Sequence, residues 1–155
     1  MDADDFELLS EAERRFLREL NDLGVRYMIV GMSAALLQGA RGATEDIDLW
    51  FEHLGDPRIG EAAKRAGGFW VTRSQPPILG GPLGERFDVV TSLSGIPDFA
   101  AEMKGALEED LGGVRVRVLP LARILTSKRA AARSKDEPGI RQIELALTIM
   151  SKLGE

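Results

Sequence analysis

The stretch that decides the fold is residues 25–51, VRYMIVGMSAALLQGARGATEDIDLWF. Its opening run, VRYMIV (25–30), is short, apolar and β-branched, which predicts a buried strand. Gly31 follows, and the Ala- and Leu-rich residues 32–38 predict a helix. Residues 47–51, IDLWF, predict a second strand. The acids sit at the mouth of that strand, in Glu45-Asp46-Ile47-Asp48. On a strand, positions i and i+2 face the same side, about 6.5–7 Å apart. Asp46 and Asp48 are therefore expected to project together, with Ile47, Leu49 and Phe51 turned to the core.

Two carboxylates this close repel, and one protonates unless a cation lies between them. Mg²⁺ is the natural cation, because it takes hard oxygen ligands and keeps waters and substrate phosphates. A third acid, Asp88, interrupts the Val-rich run RFDVVT (86–91), where propensity disfavours Asp. Three such acids can bind two metals for in-line phosphoryl chemistry. A bare Asp-x-Asp also marks the solvent end of many ordinary strands, so the neighbouring residues decide.

Those neighbours include Val30-Gly31-Met32-Ser33, at a strand-to-helix junction. Gly31 admits close approach of a ligand to the backbone, and a helix N-terminus offers free N–H groups to an anion. Ser33 adds a hydroxyl, either for that anion or as a helix cap. Further along, Leu121, Ile124 and Leu125 form an apolar stripe, and Lys128 falls on it. A Lys in that position either snorkels to water or meets an anion such as a phosphate.

The flanking sequence fills out the fold. Leu9, Phe16, Leu20 and Leu23 predict a helix over residues 6–23, ended by Gly24. Residues 59–66 read as a helix and 68–72 as a strand. Residues 73–85 carry three Pro and three Gly and read as a loop. Residues 86–91 read as a strand, and Pro97 opens a helix reaching about residue 109. VRVRVL (114–119) alternates with period two and predicts a half-exposed strand. Two helices, 121–132 and 139–153, complete the chain. The class is α/β (α+β), a mixed β-sheet flanked by helices. No repeat or linker interrupts it, so residues 1–155 are expected to form a single domain.

The chain has 155 residues, no Cys, one His and a formal charge of −5. The lack of Cys excludes disulfides, thiolate metal sites and Cys nucleophiles. A single His excludes the usual multi-His zinc sites. The longest nearly apolar stretch, residues 27–37, falls short of the about 20 residues that span a bilayer. The first 13 residues hold six acids and no base, the reverse of a secretory signal. A soluble cytoplasmic protein is the expectation. Residues 114–135 hold seven bases and no acid. That run reads either as a solvated face balanced by the acidic N-terminus or as a landing site for phosphates. The overall acidity argues against stable nonspecific duplex binding.

Taken in order, these pieces resemble the nucleotidyltransferase superfamily with the polymerase-β-type fold. More narrowly, they resemble small bacterial nucleotidyltransferases related to toxin–antitoxin and abortive-infection proteins. The family pattern runs from an apolar strand through a small-residue pair and a short helix to a strand bearing D-I-D. Here Arg41, Thr44, Asp46 and Asp48 stand in place, and Asp88 stands at the third metal-binding position. VRVLPLARILTSKRAAARSKDEPG matches the later part of the pattern at Lys128, Arg133, Lys135 and Asp136. Two positions depart from it. Met32 replaces the second small residue, with Ser33 one place later, and Gly139 stands where an acid is common.

The resemblance implies an enzyme that moves a nucleotide from an NTP such as ATP to an acceptor hydroxyl with Mg²⁺. Asp46, Asp48 and Asp88 would be catalytic and would hold the metal. Gly31, Ser33, Arg41, Thr44 and Lys128 would bind the nucleotide. The acceptor would be a protein, an RNA or a small molecule, and a cognate toxin or antitoxin or a second copy of the chain would be the partner. The alternative is an antitoxin-like binding module that keeps the fold without turnover. A phosphatase with an Asp nucleophile fits poorly, since Trp50 holds the place where Thr or Val is usual. His53 and Trp70 receive no role.

Overall fold

The computed structural model describes residues 9–154. The first helix, α1 (Glu11–Asp22), is opened by a reciprocal cap. The Glu13 N–H donates to Ser10 Oγ at 3.1 Å, and the Ser10 N–H donates to Glu13 Oε1 at 2.8 Å. This places the helix start later than the expected residue 6. Residues 6–8 lie outside the described residues. The chain then passes through β1 (Tyr27–Val30), α2 (Gly31–Leu37), β2 (Ile47–Phe51), α3 (Pro57–Arg65), β3 (Phe69–Val71), β4 (Ile78–Gly80) and β5 (Phe87–Val90). After these come α4 (Phe99–Met103), β6 (Leu107–Leu111), β7 (Val114–Val118), α5 (Leu121–Ala131) and α6 (Glu137–Leu153).

Five strands form one mixed sheet in the order β5-β2-β1-β7-β6, and β3 and β4 form a separate two-stranded ribbon. β2 runs antiparallel to β1 and parallel to β5, while β7 runs parallel to β1 and antiparallel to β6. The sheet has two dissimilar faces because side chains alternate along each strand. Ile47, Leu49, Phe51, Phe87 and Val89 are buried on one face. There the Phe16 ring of α1 lies 5.4 Å from the Phe87 ring. The other face carries Asp48 and Trp50 on β2 and Asp88 and Val90 on β5. Toward its far end α4 caps Trp50, with the Phe99 ring edge-on at 5.1 Å.

Two expectations are corrected. Residues 73–85 are not all loop, since β4 and a 3-10 turn (Gly81–Leu83) form within them. The helix expected over 97–109 is only the five residues of α4, capped by Asp98, and its second half is strand β6. The reason is the Gly112-Gly113 pair, with φ of +59° and +89°. It closes a tight hairpin in which Leu111 faces Val114. Glu108 binds Arg115 at 2.8 Å across that hairpin. β7 alternates as expected, with Val114, Val116 and Val118 buried and Arg115 and Arg117 exposed. Among the described residues no helix is long and apolar enough to cross a membrane.

Candidate active site

Asp48 and Asp88 are direct register partners on parallel neighbours β2 and β5. Residues so paired point to the same face, so the two carboxylates share one wall. They line a cleft of about 450 Å³ with Gly31, Met32, Ser92, Ser94, Ser127, Lys128 and Arg133. Asp46 lies just ahead of β2 rather than on it and is exposed. Its N–H donates to Thr44 Oγ1 at 3.4 Å, and the Thr44 hydroxyl reaches the Asp46 carbonyl at 3.3 Å. Thr44 thus shapes the approach to the strand, and Asp46 acts on the pair from the rim.

The electrostatics of Asp48 and Asp88 are unfavourable as they stand. Burial, then the charges of Asp88 and Asp46, push the Asp48 carboxyl up to about 7. A Ser33 hydrogen bond and the Lys128 charge partly oppose this. Burial and the Asp46 charge also raise Asp88, against a backbone hydrogen bond from Val89. Carboxylates kept together at such a cost are a donor set suited to a hard divalent cation. They do not form a finished cage, and among the described residues no three acidic or histidine side chains stand in metal-holding geometry. An open edge of two carboxylates suits Mg²⁺, which keeps waters and takes phosphate oxygens as further ligands.

Gly31 is required by this geometry. Its φ is +63°, and a Cβ there would lie 2.5 Å from Asp48 Oδ2. The Asp48 carboxylate therefore rests directly over the Gly31 backbone. Ser33 departs from expectation as a phosphate ligand. It is fully buried. Its Oγ donates to the Val30 carbonyl at 2.7 Å and accepts the Asp48 N–H at 3.1 Å. Because Ser33 is three residues past Val30, its hydroxyl folds back onto the end of β1 and ties it to β2. It positions Asp48 and does not face the cleft.

Lys128, on the apolar stripe of α5, has an anionic partner. Its Nζ lies 3.4 Å from Asp136 Oδ1. Asp136 also accepts Arg133 Nε at 2.7 Å. Burial would raise the Asp136 carboxyl, but the Arg133 hydrogen bond and the Lys128 and Arg133 charges outweigh it and hold it below the usual range. The supporting role of Asp136 was missed in the sequence, although a Lys-Asp pair beside a basic helix was the available signal. Arg41 stands apart from the carboxylates and lines a second cleft, beyond Met32.

A five-stranded mixed sheet flanked by helices, with register-paired acids beside a Gly-initiated helix, is a fold also found in solved nucleotidyltransferase structures. The chain is similar to the solution structure of the antibiotic-resistance factor ANT(2'')-Ia, with a TM-score of 0.61 and 17% identity, over 97% of this chain and 86% of that one. It is similar to the crystal structure of ANT(2'')-Ia in complex with adenylyl-2''-tobramycin, with a TM-score of 0.58 and 16% identity, over 88% and 86%. A third similar structure is an antigenic nucleotidyltransferase-like protein from Paracoccidioides brasiliensis, with a TM-score of 0.59 and 17% identity, over 96% and 78%. At these identities the likeness shows the fold. No family model and no curated protein sequence matches the chain.

Proposed function

We propose that this chain is one cytoplasmic nucleotidyltransferase domain that moves an NMP from an NTP to an acceptor hydroxyl with Mg²⁺. The observation that carries the reading is the Asp48–Asp88 register pair sharing a cleft with Lys128. Asp48 and Asp88 would hold the metal, with Asp46 adding negative charge at the rim. Mg²⁺, when bound, neutralises charge on the α-phosphate and on the departing pyrophosphate. Asp88, the more exposed of the register pair, is the carboxylate we assign to drawing the proton from the acceptor hydroxyl. The acceptor oxygen bonds to the α-phosphorus, the bond to the β-phosphate oxygen breaks, and pyrophosphate leaves. Lys128 and Arg41 supply positive charge to the phosphates, and Gly31 lets the Asp48 carboxylate sit close against the start of α2.

The acceptor is a protein, an RNA or a small molecule, in the setting of a toxin–antitoxin pair or a homodimer. Incubation with labelled NTPs, Mg²⁺ and host lysate identifies it by which species takes the label. Asp48→Ala, shown folded by circular dichroism, should lower the transfer by at least about 100-fold, the scale of losing electrostatic stabilisation at a reacting phosphate. Transfer at the wild-type rate would show that the metal site is misassigned.

Met32 favours a second reading. Its side chain fills the space between Gly42 and Gly139, where the family pattern has a small residue at position 32. An antitoxin-like module with that plug would bind an NTP and release no pyrophosphate, which calorimetry and a pyrophosphate assay on one sample distinguish.

A further inference from the structure

Beyond Met32 the surface opens into a second cleft of about 500 Å³, lined by Arg41, Lys128, Lys135, Asp136, Gly139 and Arg141 among others. Met32 and Lys128 belong to both clefts. Most basic side chains of the neighbouring helices are matched by acids. Arg123 binds Glu102, Arg129 binds Glu144, and Arg133 and Lys128 bind Asp136. Arg41, Lys135 and Arg141 form no ion pair with any described acid, yet all three converge on this one cleft. The single acid in its wall, Asp136, already accepts hydrogen bonds from two cations.

Met32 and Gly139 meet in the lining of this cleft. The Met32 Sδ lies 3.4 Å from the place a Cβ at Gly139 would take, and its Cε lies 3.0 Å from that at Gly42. The thioether thus stands as an apolar wall between this cleft and the Asp48–Asp88 pair. Gly139 puts no charge on the cationic side of the cleft. Neither residue adds negative charge to the second cleft, so its potential is set by the cations and by Asp136. A single carboxylate would leave two of the three cations unmatched. A condensed phosphate, with several charges over a few ångströms, matches all three.

We propose that this cleft is a condensed-phosphate site, binding a diphosphate or triphosphate chain through Arg41, Lys135 and Arg141 without a metal ion. For the source of that chain, the NTP tail or a separate phosphate-bearing ligand, the inference rests on the nucleotidyl-transfer reading. The site itself stands on the cation geometry. Lys135 and Arg141, both exposed, become binding residues.

The test is calorimetry with inorganic pyrophosphate in EDTA. Wild type should bind it. Lys135→Gln and Arg141→Gln should each weaken binding about tenfold, the scale of one charged hydrogen bond, and the double variant about 100-fold. Gly139→Asp, whose Cβ meets only ordinary contacts, should weaken it by a similar factor. Lys104→Gln, exposed and outside the cleft, should bind as wild type does. Melting curves confirm that each variant is folded. With Mg²⁺ present, displacement of pyrophosphate by ATP assigns the cleft to the NTP tail. Simultaneous binding assigns it to a second phosphate-bearing ligand. No binding in EDTA, or binding untouched in the double variant, overturns the site. Intact pyrophosphate binding without any nucleotide transfer overturns the function and leaves the site standing.

Discussion

Asp48 sets an expected pH dependence of stability that can be worked from the structure. Its carboxyl ionises at 3.8 in an ordinary setting and at about 7 in the fold, chiefly through burial and then through the Asp88 and Asp46 charges. A raised carboxylic acid binds more protons when folded than when unfolded. Stability is therefore greatest below the unfolded value and falls as pH rises through the window from about 4 to about 7. At 1.36 kcal/mol per pH unit the full effect is about 4 kcal/mol, an upper figure because local relaxation screens part of it. For a chain of this size that is on the order of 10 °C in Tm. Asp48→Asn removes the titration while keeping the shape. Melts followed by circular dichroism from pH 4.5 to 8 should show wild type losing stability as the variant stays nearly level, with the variant more stable at pH 8. Mg²⁺ at 100 times its Kd should return about 2.7 kcal/mol to wild type at pH 8 and much less to Asp48→Asn. Parallel pH profiles for the two proteins, or equal Mg²⁺ stabilisation of both, would refute the reasoning.

Two further substitutions test how the site is held. Gly31→Ala meets both a positive φ and the Asp48 carboxylate, 2.5 Å from the new Cβ. It should cost about 1–3 kcal/mol in urea melts and shift the Mg²⁺ concentration that half-stabilises the protein. Ser33→Ala removes a buried hydroxyl shared by the Val30 carbonyl and the Asp48 N–H. A loss of about 1–3 kcal/mol is expected, together with weaker Mg²⁺ stabilisation, and Ser33→Thr should recover part of both.

The sequence exposes local pattern well and distant pairing poorly. The bounds of β2 and the alternation of β7 were legible because each follows from periodicity within a few residues. The Asp48–Asp88 pairing was not, because register between strands far apart in the chain depends on which strands become neighbours. The residues suggested that the three acids act together, and the resemblance supported it, but neither gave the register. β6 was lost because LEEDL is poor in β-formers, and its strand character comes from the Gly112-Gly113 hairpin and from Arg115 opposite its acids. β4 was lost because Pro and Gly dominate its surroundings. Ser33 was misplaced for a geometric reason. Its hydroxyl bonds back to the Val30 carbonyl and accepts the Asp48 N–H, and which of these or an outside anion it meets depends on the β1–β2 packing that a single stretch of sequence does not show.

The same contrast separates charge counted along the chain from charge available in space. The seven bases of residues 114–135 suggested a surface for phosphates, or a face balanced by the acidic N-terminus. The fold answers with nearer acids. Glu108 takes Arg115 and Arg117, Glu102 takes Arg123, Glu144 takes Arg129, and Asp136 takes Arg133 and Lys128. Of the run, only Lys135 is left without an acidic partner among the described residues. The cations that join it, Arg41 and Arg141, come from the loop before β2 and from α6, outside the run altogether. A long polyanion laid along residues 114–135 would have to displace these pairs, several of them exposed and individually weak. A compact polyphosphate in the second cleft displaces none of those on Glu102, Glu108 or Glu144. Raising salt should therefore weaken pyrophosphate binding by a modest slope set by about three contacts, not by the steep slope of a protein that tracks a nucleic-acid backbone.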